Sequence, residues 1–135
     1  IMPQALGKTQ EEIYSKYHDI ICKNIDYETL LLDHPEDAGQ IDGIVNIILD
    51  IVTSKKETIR IAREEKPQSL VKAKFLKLDK SNIDYALFCL GNNTTQIQDT
   101  AAYVRTVLYN APDTQQAYWK NRAMHDLYGA RAGPG

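Results

Sequence analysis

The sequence predicts an all-α fold, a compact helical domain of six to seven helices with one short extended segment. Three observations carry that prediction. Apolar residues recur three and four apart along most of the chain. Helix-capping and helix-stopping residues bracket each such run. The composition, 43% hydrophobic and 25% charged over 135 residues, is that of one globular domain. A chain of this size buries roughly two-thirds of its unfolded surface, so its core needs no metal or disulfide.

The elements follow in order. Thr9 to Glu12 forms a capping box, and beyond it Ile13, Tyr17, Ile20, Ile21 and Asn24 give a first helix one face. Asp26 is placed to cap a short second helix through Leu30, Leu31 and Leu32, stopped by Asp33, His34 and Pro35. Asp37 starts a third, in which Ile41, Ile44, Val45, Ile48 and Val52, with Ile47, Leu49 and Ile51, cover most of the circumference. A helix apolar nearly all round is buried nearly all round, so this one is predicted to be central, with Gly43 admitting a close neighbour.

Thr58 to Ile61 alternates and is β-branched, the one strand-like signal. Pro67 suits the first turn of a fourth helix with Val71, Phe75 and Leu78 inward, and Ser81 the cap of a fifth with Ile83, Ala86, Leu87 and Leu90. That fifth helix is expected to end near Gly91, Asn92 and Asn93. A sixth is expected from about Thr95, with Ile97, Ala101, Val104 and Leu108 on one face, until Ala111 and Pro112. A seventh, capped by Asp113 or Thr114, carries Tyr118, Trp119, Met124, Leu127 and Tyr128 and is closed by Gly129. The domain is thus placed at residues 9–128, with 1–8 and 129–135 as flanking segments. The opening Ile1-Met2-Pro3 and the small-residue close suggest a piece of a longer protein.

Catalytic patterns are lacking. His18, His34 and His125 have no histidine or cysteine partners at a full metal-ligand spacing, and His18 with Cys22 makes only half a site. There is no phosphate-binding glycine loop and no nucleophile elbow. The paired carboxylates sit at helix starts or in loops, where they complement helix dipoles. The expectation is a protein that is not an enzyme and takes no metal and no cofactor. Cys22 and Cys89, far apart with apolar neighbours, suit reduced thiols in the cytoplasm. The densest apolar stretch, Ile41 to Val52, is too short and polar to span a bilayer.

Charge is segregated along the chain. Thr9 to Asp50 holds ten acids and two bases, net −8, and Lys55 to Lys80 nine bases and four acids, net +5, within a total of −2. On a fourth helix Lys66, Lys74, Lys77 and Lys80 would share an arc of about 120°. Such a stripe suits an acidic partner or phosphates, with Lys66 and Lys80 as the phosphate contacts. No aromatic residues interleave it as a base-stacking platform needs. Tyrosines and the tryptophan crowd the last helices, where Tyr103 and Tyr109 join Lys74 and Lys77 as candidate partner contacts.

Several blocks carry a family resemblance. They are Asn24 to Pro35 (NIDYETLLLDHP), Thr58 to Ala62 (TIRIA), Val71 to Leu78 (VKAKFLKL), Asn93 to Ile97, Tyr103 to Pro112 (YVRTVLYNAP) and His125 to Tyr128. In order and spacing they resemble the C-terminal domain, a domain of unknown function, of RepA-type replication initiators of Gram-positive plasmids and conjugative elements. That domain is more distantly similar to the helical module of DnaD-type primosome proteins, whose late-helix pattern Tyr103, Val107 and Tyr109 follow. Trp119 lies too far along to supply the tryptophan of that pattern. The resemblance implies a protein-interaction domain that brings a helicase loader, helicase or primase to an origin, itself bound by a winged-helix domain further upstream. The alternative is direct DNA binding or remodelling through the Lys66 to Lys80 stripe. Self-association through the aromatic end is a third option.

Overall fold

Two stretches of chain, residues 9–92 and 99–131, are described by the computed structural model. Among them are six α-helices, α1 (Gln10–Asn24), α2 (Tyr27–Asp33), α3 (Ala38–Val52), α4 (Gln68–Phe75), α5 (Lys80–Asn92) and α6 (Thr100–Arg131). One two-stranded antiparallel sheet, β1 (Thr58–Ile61) with β2 (Glu64–Pro67), joins α3 to α4. The fold is all-α with a short strand element, as the periodicity predicts. None of these helices is long and apolar enough to cross a membrane.

Local chemistry explains most boundaries. The Thr9 hydroxyl accepts from the Glu12 N–H at 3.1 Å, opening α1. Asp26 precedes α2 in the left-handed region (φ 54°), and its carboxylate accepts from the Thr29 hydroxyl rather than from a backbone N–H. The chain then turns through one 3₁₀ turn at Pro35–Asp37 into α3. There Ile41, Ile44, Val45, Ile48, Leu49, Ile51 and Val52 are all buried, and α3 touches every other helix. The central placement read from its all-round apolar character holds. Gly43 is different: it is exposed, and an added Cβ would meet nothing within 4 Å, so it admits no neighbouring helix.

Three expectations are corrected. First, the extended segment, whose pairing the sequence leaves open, gains a partner in a stretch with no strand signal of its own. It pairs with Glu64 to Pro67, which no propensity scale favours as a strand, through a two-residue turn with Ala62 and Arg63 both at positive φ. Pro67 therefore ends a strand and stands at the N-cap of α4, one residue before the first turn it suits by sequence. Second, the cap of α5 is Asp79, not Ser81. Its carboxylate accepts from the Asn82 N–H (3.1 Å), while the Asn82 side chain accepts from the Asp79 N–H (2.8 Å). The buried Asn82 amide then donates to Gln115 of α6 (2.8 Å).

Third, the sixth and seventh helices are one. α6 runs 32 residues with Pro112 inside it and continues through Gly129. An interior proline costs about 3 kcal/mol. Packing beyond the proline offsets that: Tyr118 and Trp119 stack against Phe88 (5.3 and 5.4 Å between ring centres), and Gln115 holds the start of α5. Asp99 caps the helix at its start, accepting from the Ala102 N–H. The start expected near Thr95 and the contacts of Asn93, Ile97, His125, Leu127 and Tyr128 lie outside the described residues and side chains.

Candidate functional site

Six side chains were expected to contact a partner or phosphates, and the fold gathers three of them. Tyr109 lies on the inner side of α6. Lys74 of α4 places its ammonium 4.0 Å from the Tyr109 ring centre, and Lys66 of β2 places its own at 5.2 Å. Both distances are within cation–π range. Lys66 is also 3.3 Å from the Glu64 carboxylate. Tyr109 is more than thirty positions from either lysine in sequence, and Lys66 stands opposite Ile59 in the register of β1 with β2.

The other three lie elsewhere. α4 ends at Phe75, so no single helix carries the four lysines and the predicted stripe of about 120° does not form. Lys77 is exposed in the turn after α4. Tyr103 sits six residues before Tyr109, about 120° around α6. Lys80 opens α5 inside a charge network, 2.7 Å from Asp33 and 2.9 Å from Asp84. Hydrogen bonds to Asp33 and then Asp84 push its ammonium up to about 12, and the bond from Lys80 holds the Asp33 carboxyl below its ordinary range. His34 reaches Asp84 at 2.8 Å from the other side.

One turn of α6 from Tyr109, Arg105 lines a groove of about 1380 Å³ between the start of α1, the end of α3 and β1. Tyr14, Ile51 and Ile59 line it, together with Lys55, Lys56, Arg60, Asp50, Glu57 and Glu65. Glu65 is already engaged, accepting from the Thr58 hydroxyl (2.8 Å) and the Arg60 guanidinium (3.2 Å). The Nε of Arg105 is buried without an acceptor. A buried donor without a partner is costly, by about 1–3 kcal/mol and more for a charged group. Arg105 belongs to no motif that marks it in the sequence. Its position within one turn of Ala101 and Leu108, beside the apolar stripe of α6, was the signal available.

The remaining reactive groups are quiet. The Cys22 thiol is pushed up by burial first and by Asp19 and Asp42 after it, the opposite of an activated nucleophile; His18 lies 3.8 Å away. The Tyr27 hydroxyl donates to Asp42 and is raised by that bond. Among the described residues no three His, Cys, Asp or Glu side chains are grouped to hold a metal ion. What this surface offers is cation–aromatic and hydrogen-bonding recognition. A family model described as a family of unknown function (DUF6017) matches residues 4–130. No curated protein and no solved structure matches the chain.

Proposed function

The chain belongs to the family of unknown function DUF6017, and we propose that it is a non-catalytic protein-interaction domain of a replication initiator. In this reading it recruits a helicase loader, helicase or primase, in the cytoplasm, to an origin bound by another part of the initiator. One observation supports interaction above all others: Lys74 and Lys66 are held over the ring of Tyr109, a preformed cationic patch around a residue type enriched at interface hot spots. The replication setting rests on the sequence blocks that resemble RepA-type initiators.

Direct DNA binding is less favoured. Lys80 is consumed by two carboxylates, Lys66 by Glu64, and the segment from Thr9 to Asp50 carries net −8. Repulsion from that segment reaches phosphates within a Debye length, about 8 Å at physiological salt. The test is a titration of the chain against purified helicase loader, helicase and primase, and against labelled single- and double-stranded DNA, at about 150 mM salt. The expected result is binding to one protein that weakens about tenfold or more in a Lys74→Ala/Tyr109→Ala variant, with DNA binding weaker than micromolar. Sub-micromolar DNA binding that vanishes in Lys74→Ala/Lys77→Ala would overturn the reading, and so would failure to bind all three proteins.

A further inference from the structure

We infer that the free edge of β1 and the groove beside it seat an extended peptide of a partner protein that carries an isolated acidic residue, added to the hairpin as a third strand. The inference deepens the interaction reading and rests on it for its setting. The register decides which backbone groups are free. The Gln68 N–H donates to the Glu57 carbonyl at 2.8 Å, so Glu57 and Gln68 form a hydrogen-bonded pair. Alternation then makes Ile59 with Lys66 and Ile61 with Glu64 the next bonded pairs. Thr58 and Arg60 therefore turn their N–H and C=O groups away from β2, along the edge that walls the groove. Among the described residues those groups meet no partner. β2 is the poorer template, because Pro67 has no N–H at the matching outward position.

The groove chemistry selects the occupant. An added strand gains affinity from the main chain and specificity from alternate side chains. Tyr14, Ile51 and Ile59 offer an apolar floor to one set of those side chains. Arg105 lines the groove and, among the described residues, has no hydrogen bond or ion pair, so its guanidinium suits one carboxylate. Among the described residues Lys55 and Lys56 have no ion pair, and they reinforce that sign. Asp50 and Glu57, also on the groove, set a limit: a single acidic residue is tolerated, whereas a polyanion such as nucleic acid is repelled. A second copy of this chain is disfavoured as well. Pairing two β1 edges would bring Arg60, Lys55 and Lys56 of both copies together, the like-charge arrangement that keeps sheet edges apart.

The probe is a short fluorescein-labelled peptide of alternating valine and threonine with one central aspartate. Its asparagine twin and two versions N-methylated on alternate residues complete the set. The expected result is saturable binding that falls about tenfold for the asparagine twin and for an Arg105→Gln variant, the loss of one charge-assisted contact. One N-methylated version should fail and the other should bind, since only alternate amides face β1. The Thr58 and Arg60 amides should gain protection from hydrogen exchange when peptide is added to the unmodified chain, a readout that needs no variant to fold. Equal behaviour of the two methylated peptides, unchanged protection at Thr58 and Arg60, or equal binding of the asparagine twin would overturn the inference. The titrations with replication proteins use variants at Lys74 and Tyr109 instead, so a peptide that fails while they succeed removes the edge seat alone.

Discussion

Three substitutions at two positions of α3, five residues apart, test whether that helix is the centre of the fold. Ile48 is 0% exposed, whereas Gly43 is exposed with open space where a Cβ would stand. Ile48→Ala removes three carbons at about 0.8 kcal/mol each and leaves a cavity, a loss of about 3 kcal/mol. At about 2.1 cal/mol/K per residue, the unfolding entropy of this chain converts that loss to a fall in Tm of about 10 °C. Ile48→Asp adds an unpaired carboxylate in the core and should abolish folding, since the whole domain is held by about 5–15 kcal/mol. Gly43→Ala works in the other direction, gaining about 1 kcal/mol of helix propensity and about 3 °C. Far-UV circular dichroism during a thermal melt reads all three. An Ile48→Asp protein melting within about 2 °C of the parent would refute the central placement, because a buried charge must cost several times that. A Gly43→Ala protein less stable than the parent would refute the open face.

Other perturbations probe the rest of the fold. The Asp33–Lys80 pair should stabilise a defined pH window. The lowered Asp33 contributes above its ordinary value of 3.8 and is lost as pH falls through its depressed one; the raised Lys80 contributes below 10.5 and is lost as pH rises through about 12. Melts of Lys80→Met against the parent should therefore differ most between those limits and converge at the acid extreme. Replacing Ala62 by Asn together with Arg63 by Gly suits the two positive-φ positions and should raise stability by about 1 kcal/mol, seen as a higher melting temperature. Asn82→Ala removes the reciprocal cap of α5 and its bond to Gln115, costing about 1–2 kcal/mol, and Trp119 fluorescence should report the loosened contact of α5 with α6.

What the sequence disclosed depended on how local the cause was. α1, α3 and β1 stand where period and capping place them, because each is specified by residues within itself. β2 was invisible: Glu64, Glu65 and Lys66 become a strand only because Thr58 to Ile61 lies beside them. Its appearance took Lys66 off the fourth helix, while the end of α4 at Phe75 left Lys77 and Lys80 beyond it. Pro112 reads as a stop, which is right for an isolated helix, but tertiary packing of Tyr118 and Trp119 on α5 carries the helix past it. The candidate site shows the same division. The residue types were legible as a basic stretch and a late run of tyrosines, while the meeting of Lys66, Lys74 and Tyr109 depends on three elements brought together by the core.

The charge segregation along the chain is little cancelled by ion pairing among the described residues. Folding could have cancelled it by pairing the acids of α1 to α3 with the bases of the hairpin and α4. Among the described ion pairs only Lys80 with Asp33 joins the two segments; the pairs of Arg60 with Glu65 and Lys66 with Glu64 stay within the basic one. Lys72 spends its charge on the Tyr17 ring, 4.9 Å away, rather than on a carboxylate of α1. A field left uncancelled in this way acts at longer range than any one contact, and it orients an approaching partner before the surfaces touch. The side that holds the Tyr109 patch and the β1 edge, with Arg105 one turn of α6 from Tyr109, takes its lysines and Arg60 from the basic segment, with Asp50 beside them. A partner drawn to that side meets an aromatic anchor and a backbone template together. Raising the salt should therefore slow its association more than it speeds its release, the signature of steering by charge on a surface whose grip is aromatic and main-chain.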